Sequence, residues 1–245
     1  MEEVVLSTDK RGQPIVVRVG ATVRRRPGPG SELSTALLQH LEAGGFEGSP
    51  RYLGLDDLGR QVLSFVEGEV SDAPTWQEDD AENAIQLGRI ARLLRALHDA
   101  TSDFVARPDW KPSRPLPLPG LIWTHGDVGY QNLVYRDGQP FAFIDWEFAA
   151  PADITCDLAG LLGLSVRAPR PGAADNDRRR IAVSIAFESL VAGYGLDDQS
   201  ATQLPSAAAV VLDDAADYWG ALGHDTEMIS IARWRADWFR TKANL

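Results

Sequence analysis

The stretch WTHGDVGYQNLVYRDGQPFAFIDWE, residues 123 to 147, decides how the rest of the chain is read. It contains His125, Gly126 and Asp127, then Asn132, then Asp145. Aspartate and glycine crowd into turns for conformational reasons, so none of these residues says much alone. The apolar segments around them read as short strands: LIWT before Asp127, NLVY after it, and FAFID last. Asp137-Gly138 between the last two signals a hairpin. That hairpin turns Asn132 and Asp145 back toward each other, and two oxygens on neighbouring strand ends can share one cation. Phosphoryl transfer needs a divalent cation, ligands to hold it and a group that positions the attacking hydroxyl. Magnesium takes carboxylate and carbonyl oxygens and keeps several waters, so an Asp and an Asn suffice. Asp127, on the loop it shares with Asn132, then faces whatever approaches the phosphate.

Working outward, the segments upstream read as strands. VVL at 4–6, IVVRVG at 15–20 and ATVRRR at 21–26 predict an antiparallel meander, and PGPG at 27–30 breaks it. Ser31 can then cap a helix with Leu33, Leu37, Leu38 and Leu41 on one face, and Gly44-Gly45 stops it. YLGLD at 52–56 and QVLSFVEG at 61–68 predict a hairpin around 57–60. Seven acidic and no basic residues follow between Glu67 and Glu82, which reads as a connection into a helix carrying Leu87, Ile90, Leu94 and Leu97. Five prolines at 107–120 predict an extended surface loop. Beyond residue 150 the pattern is helical, with helices at 157–166, 178–195, 204–222 and 225–243. The expected class is α+β. A small strand-rich N-lobe, 1–68, is followed by a larger and mostly helical C-lobe, 69–245, with a cleft between them.

Composition narrows the function. The 245 residues are 44% apolar, enough for a sizeable core, and carry a formal net charge of −11. An acidic chain is a poor nonspecific nucleic-acid binder. The charge suits a cationic small molecule and equally suits plain solubility. A lone cysteine, Cys156, excludes an intramolecular disulfide and a thiolate zinc cluster, and fits a reducing cytoplasm. The N-terminus has no signal-peptide pattern, and no run approaches the ~18 apolar residues of a membrane span, so a cytoplasmic protein is expected.

The set His125-Gly126-Asp127, Asn132 and Asp145 resembles the catalytic segment of kinase-like enzymes. The Gly after His, the IDWE ending and the run Asp153-Ile154-Thr155-Cys156-Asp157-Leu158-Ala159 look like the aminoglycoside phosphotransferase family, with its protein-kinase-like fold. The segment ALLQHLEAGGFEGSPRYLGLDDLGRQVLSF, 36–65, also resembles trifolitoxin-immunity-related members. The resemblance implies ATP (or GTP) and Mg2+ as cofactors and a small-molecule hydroxyl as acceptor. It implies Asp127 as the catalytic base and Asn132 and Asp145 as metal ligands. His125 would fix the loop and Asp157 would anchor it. Phe65, Val66, Glu67 and Gly68 would be the hinge that pairs with the adenine edge. Gly129 stands where protein-directed kinases carry a lysine, which implies a small acceptor.

Two departures concern the nucleotide. The loop STDKRGQP offers Ser7, Thr8 and one glycine, Gly12, far from a glycine-rich phosphate loop. The strand lysine is replaced: among Arg24, Arg25 and Arg26, Arg24 is the expected phosphate contact because it follows Val23 as the family lysine follows an apolar residue. Arg24 and Arg26 share one strand face and Arg25 the other. A solvated basic edge is the competing reading. Glu32 is the expected ion-pair partner, or else a first-turn acid favoured by the helix dipole. Among the rest, His98 reads as a capping or packing residue and Cys156 as packed. Glu147 reads as either surface or site-lining. Trp219, Trp234 and Trp238 read as core or acceptor-pocket residues. Asp213, Asp214, Asp217, Asp225 and Glu227 read as a solvated face or as ammonium receivers. The alternatives are a catalytically weak binding or immunity protein and a metal-dependent hydrolase.

Overall fold

The computed structural model describes residues 2–9, 11–70, 80–165, 177–224 and 226–242. Strands β1 (Val4–Thr8), β2 (Pro14–Val19) and β3 (Thr22–Arg25) form the expected meander. With β4 (Tyr52–Leu55) and β5 (Gln61–Ser64) they make a five-stranded antiparallel sheet in the order β1-β2-β3-β5-β4. Asp56 closes the β4–β5 turn by accepting from the N–H groups of Leu58 and Arg60 at 3.0 and 2.9 Å.

Helix α1 (Ser31–Ala43) connects β3 to β4 and buries the four predicted leucines. Its start differs from the sequence reading. Gly30, in the left-handed conformation at φ 77°, holds the cap position, and the Ser31 hydroxyl accepts from Gly28 N at 2.7 Å. A side chain at Gly30 would meet Ser113 N at 2.7 Å, so the proline-rich segment presses on this turn.

The C-terminal part is helical: α2 (Asp80–Ala100), α3 (Thr155–Ser165), α4 (Asp177–Tyr194), α5 (Asp198–Ala221) and α6 (Thr226–Lys242). Leu87, Ile90, Leu94 and Leu97 of α2 are fully buried, as their spacing predicts. A Cβ on Gly193 would collide with the Gly88 backbone, so two glycines let α2 and α4 approach closely. Helix α5 begins at Asp198, six residues before the predicted start. Asp197 caps it by accepting from Ser200 N at 2.7 Å, and Pro205 is carried inside the helix. The proline hid the first turns from a pattern reading.

Two small sheets lie between these parts. Strands β6 (Glu69–Val70), β8 (Leu133–Arg136) and β9 (Gln139–Phe143) form one, and β7 (Ile122–Thr124) pairs with β10 (Ala150–Ala152) in the other. Strand β10 was not anticipated, because Ala-Pro-Ala has no strand pattern. Its pairing rests on tertiary contacts such as Thr124 Oγ1 to Ala150 O, 2.9 Å. The proline-rich segment is extended as expected but not free on the surface. The Ser113 hydroxyl donates to Glu147 O at 2.5 Å and Leu118 O accepts from Asp153 N at 2.9 Å, so the segment lies across the catalytic stretch. Among the described residues, no helix is long and apolar enough to cross a membrane.

Candidate functional site

Strand β7 delivers His125, Gly126 and Asp127 to a loop whose backbone is tied from below. Asp157, in the first turn of α3, is 2% exposed and accepts from His125 N and Gly126 N, both at 2.8 Å. Its Oδ2 also lies 3.1 Å from His98 Nε2, and His98 Nδ1 is 2.8 Å from the Tyr194 hydroxyl. Burial alone raises the Asp157 carboxyl, but the His98 hydrogen bond, the charges of His98 and His125 and the Gly126 N–H together hold it below the usual range. His98 therefore packs as expected and also orients the anchor.

Gly126 has φ 79°, and a Cβ there would collide with Phe148 O, so only glycine fits. The His125 ring packs edge-on against Trp146, its Nε2 lies 3.0 Å from Ile144 O, and its Nδ1 accepts from Asp127 N at 3.3 Å. The imidazole thus supports the loop without facing the cleft.

Asn132, 5% exposed, closes the loop. Its Nδ2 donates to Asp127 O at 2.9 Å and Asp127 Oδ2 at 2.8 Å, and its own carbonyl accepts from Ile144 N at 2.9 Å. With both amide hydrogens on Asp127, Oδ1 is the atom left to act as a ligand. The bond to Ile144 sets Asn132 beside Asp145, as the hairpin reading requires. Asp145 lies past the end of β9 rather than on it, at φ 64°, a left-handed conformation rare outside glycine. Burial raises the Asp127 carboxyl above its ordinary value, with His125 and the Asn132 hydrogen bond pulling the other way. Asp145 pushes it up and Arg114 pulls it down.

The cation facing this cluster is Arg25, not Arg24. Arg25 Nη1 donates to Asp145 Oδ1 and Nη2 to Glu147 Oε2, each at 2.8 Å. Burial and the Asp145 charge raise the Glu147 carboxyl, and Arg25 opposes them. Arg24 turns to the other side of the sheet, 3.7 Å from Asp56, where Arg60 and Glu3 continue the ion cluster. Alternation puts Arg24 and Arg25 on opposite faces, as expected, and it is Arg25 that faces Asp145, because a strand of three arginines does not itself say which side meets that residue. Glu32 is exposed, and no ion pair from it to β3 occurs among the described residues. The tie between α1 and the sheet is instead Gln61 Nε2 to Thr35 Oγ1, 2.8 Å.

The connector after β5 is clasped. Phe65 N donates to Ala21 O at 2.9 Å, so that N–H is not open to a ligand. Arg18 lies 3.6 Å above the Phe65 ring and 2.8 Å from Glu67 Oε1, and Arg136 Nε donates to Glu67 O at 2.9 Å. Gly68, at φ 147°, passes where a Cβ would strike Tyr135 O. The N–H groups of Val66, Glu67 and Gly68 make no turn or loop hydrogen bond to the backbone among the described residues. A cavity of about 240 Å³ adjoins this connector, but Asp127, Asn132 and Asp145 do not line it.

On the far side, Phe148 meets Tyr218 and Trp219 at ring distances of 5.6 and 6.3 Å. Trp238 is core, whereas Trp219 belongs to this aromatic group. The acids of α5 have arginine partners: Asp213 pairs with Arg233 and Arg240, Asp217 with Arg233, and Asp214 with Arg114. Asp225 lies outside the described residues. Burial raises the Cys156 thiol to about 12, against the opposing pull of its hydrogen bond to Leu118 O, and keeps it inert. Arg18 and Arg114, beside Phe65 and Phe148, carry no pattern in the sequence, and Arg25 is placed there only on the face opposite Arg24.

Among the described residues no three His, Cys, Asp or Glu side chains converge on one metal position. The donor set still fits a hard divalent cation: a carboxylate, an amide oxygen and a nearby second carboxylate, with an arginine charge already drawn to two of them.

Residues 112–190 match the model of the phosphotransferase enzyme family. The chain is 34% identical over 197 residues to the trifolitoxin immunity protein of Rhizobium leguminosarum bv. trifolii, covering 76% of this chain and 72% of that protein. Among solved structures it is similar to the amicoumacin kinase hAmiN in complex with AMP-PNP, Ca2+ and Ami, at TM-score 0.68 and 12% identity over 98% of this chain and 88% of that one. A microcompartment-associated aminopropanol kinase gives TM-score 0.64 and 16% identity, over 98% and 91%. At such identities the two structures speak for the fold alone, which is the kinase-like arrangement.

Proposed function

The chain belongs to the phosphotransferase enzyme family, in company with the trifolitoxin immunity protein, and from that premise we propose that it transfers the terminal phosphoryl group of ATP to a hydroxyl of a small molecule. The observation that carries this reading is the Asn132 amide, which spends both hydrogens on Asp127 and so leaves its oxygen for a ligand, while the bond from Ile144 N to the Asn132 main-chain carbonyl sets the two strand ends side by side. Asn132 Oδ1 and the Asp145 carboxylate would hold Mg2+, which when bound supplies charge neutralisation along the phosphate chain. Asp127 accepts the proton of the acceptor hydroxyl as its oxygen attacks the terminal phosphorus. The bond from that phosphorus to the bridging oxygen breaks, leaving ADP, and the proton passes on to solvent. A carboxyl raised by burial is better matched to that task than an exposed one. Arg25 moves its fork from the Asp145–Glu147 pair to phosphate oxygens, which arginine grips bidentately. The N–H groups of Val66 to Gly68, which Phe65 N does not join, supply the hinge donor for the adenine edge.

The test is a phosphate-transfer screen against hydroxyl acceptors with Mg–ATP, with Asp127→Ala as the blank. Transfer by the blank at the native rate would refute the assignment.

A second reading is a kinase-like protein that binds without turning over. Arg25 on Asp145 and the Arg18–Glu67 clasp favour it, since both must rearrange before nucleotide binds. Stabilisation by Mg–ATP without ADP release from any acceptor would select it.

A further inference from the structure

We propose that Arg114, set against Tyr218 and Phe148, is a recognition residue for a carboxylate on the hydroxyl acceptor. The proposal rests on the phosphotransferase reading for the word acceptor, and on its own geometry for the anion site.

Arg114 belongs to the proline-rich segment, whose position is set by the Ser113–Glu147 hydrogen bond and the contact with Gly30. Its guanidinium carbon lies 4.4 Å from the Tyr218 ring centre and 5.6 Å from that of Phe148. Phe148 in turn abuts Gly126 through its carbonyl, one residue from Asp127. Arg114 is near enough for its charge to act on the Asp127 carboxyl. A group bound at Arg114 therefore lies between the aromatic residues of α5 and the loop that carries Asp127.

Arg114 is incompletely satisfied. Its Nη1 stands 2.9 Å from Asp214 Oδ2, yet that oxygen and Arg114 Nε are both buried without a hydrogen bond among the described residues. Buried polar atoms are normally partnered, and leaving them unpaired is costly. A guanidinium edge with open donors matches the two oxygens of a carboxylate. The aromatic faces argue the same way. Edge-to-face rings such as Phe148, Tyr218 and Trp219 would hold a quaternary ammonium by cation–π attraction if their faces were open. Here the resident guanidinium already covers two of them. Asp213 and Asp217 are taken by Arg233 and Arg240, so a polycation finds charge-compensated acids on α5.

The experiment uses the whole chain saturated with Mg–AMP-PNP, titrated calorimetrically with matched probes: 4-hydroxybutyrate against 4-hydroxybutyramide, N-acetylserine against N-acetylserinamide, and choline and ethanolamine as cations. ADP release with Mg–ATP is measured for the same panel. The carboxylate members are expected to bind about tenfold to a hundredfold more tightly than their amides, the span of a charge-assisted hydrogen bond. Arg114→Gln should erase that preference through KM, so that each carboxylate falls to the affinity of its own amide in the same variant. Asp214→Asn, which removes the competing carboxylate, should tighten carboxylate binding; a merely structural ion pair would weaken in both variants. The proposal is overturned if no carboxylate probe binds, if the cations bind best, or if Arg114→Gln weakens AMP-PNP as much as it weakens carboxylates. Carboxylate binding that depends on Arg114 without any ADP release would instead strike the phosphotransferase reading and leave the anion site standing.

Discussion

The loop between β7 and β8 and the strands β1 to β3 supply opposite walls of one cleft, and they are held in opposite ways. The loop is wired from within. Asp157 takes two backbone N–H groups and a histidine, Asn132 takes Asp127, and nearly every partner is buried. The strands are half-exposed, and their contribution comes down to the reach of one side chain, Arg25, across the cleft. Buried hydrogen bonds specify geometry tightly because the alternative is an unpaired polar group in low dielectric. Arg25 is itself 17% exposed, but its partners Asp145 and Glu147 are far more open, so these pairs are weaker constraints than the buried bonds of the loop. On the proposed function, chemistry would reside on the rigid wall and nucleotide capture on the adaptable one.

This contrast breaks most sharply at Asp127. Asp127→Ala should lower kcat by about 10²–10⁴-fold, the usual weight of a positioned acid or base, while Mg–ATP binding by thermal shift stays as it was. Parallel loss of nucleotide binding would mean that the two walls are not separate.

Next in size is Asp157→Ala. Removing one partner of a buried charged network costs about 3–5 kcal/mol. For a chain of this length that is roughly 10 °C in melting temperature. A melting point within error of native would deny Asp157 its anchoring role. The acid limb follows from the same group. Its folded pKa is depressed, so its stabilisation is complete above the unfolded carboxylate value and is lost as pH falls through the lower folded one. Asp157→Asn should flatten the melting curve on that acid side.

Arginine replacement sharpens the other wall. Arg25→Ala should raise the KM for Mg–ATP about tenfold, in line with loss of a charge-assisted contact, with a smaller change in kcat. Arg24→Ala, whose partner is the partly exposed Asp56 cluster, should change KM by less than about twofold. Equal effects would show that strand face does not matter.

The smallest expected effect is again at Asp127. Its folded pKa is raised, so above that value the folded state carries a charge that the unfolded state tolerates better. Asp127→Asn should therefore melt slightly higher than native at neutral pH. The gain should fade as pH falls through the folded pKa, where the native carboxyl takes up its proton. A lower melting point at neutral pH would contradict the direction of the shift.

Legibility followed the same division. The catalytic loop could be read because its residues lie within 35 positions of one another, Asp157 included, and each has few alternatives at that spacing. The helices of the core could be read from leucine periodicity, but not the start of α5, where Pro205 interrupts the pattern, nor β10, whose Ala-Pro-Ala owes its pairing to β7. Glu32 and the cap at Ser31 were reasonable local inferences that tertiary packing replaced with Gln61–Thr35 and Gly30.

By itself the sequence determined the order of elements, the leucine faces, and the association of Asp127, Asn132 and Asp145, since local pattern and short hairpins suffice for these. Only the tertiary structure decided which face of β3 meets the cleft, which arginine therefore reaches Asp145, and that Arg114 comes to lie beside Tyr218, 104 positions later in the chain. Strand alternation has two faces of equal standing in a sequence, and an arginine in a proline-rich loop carries no periodic mark. Both are settled by what packs on the other side.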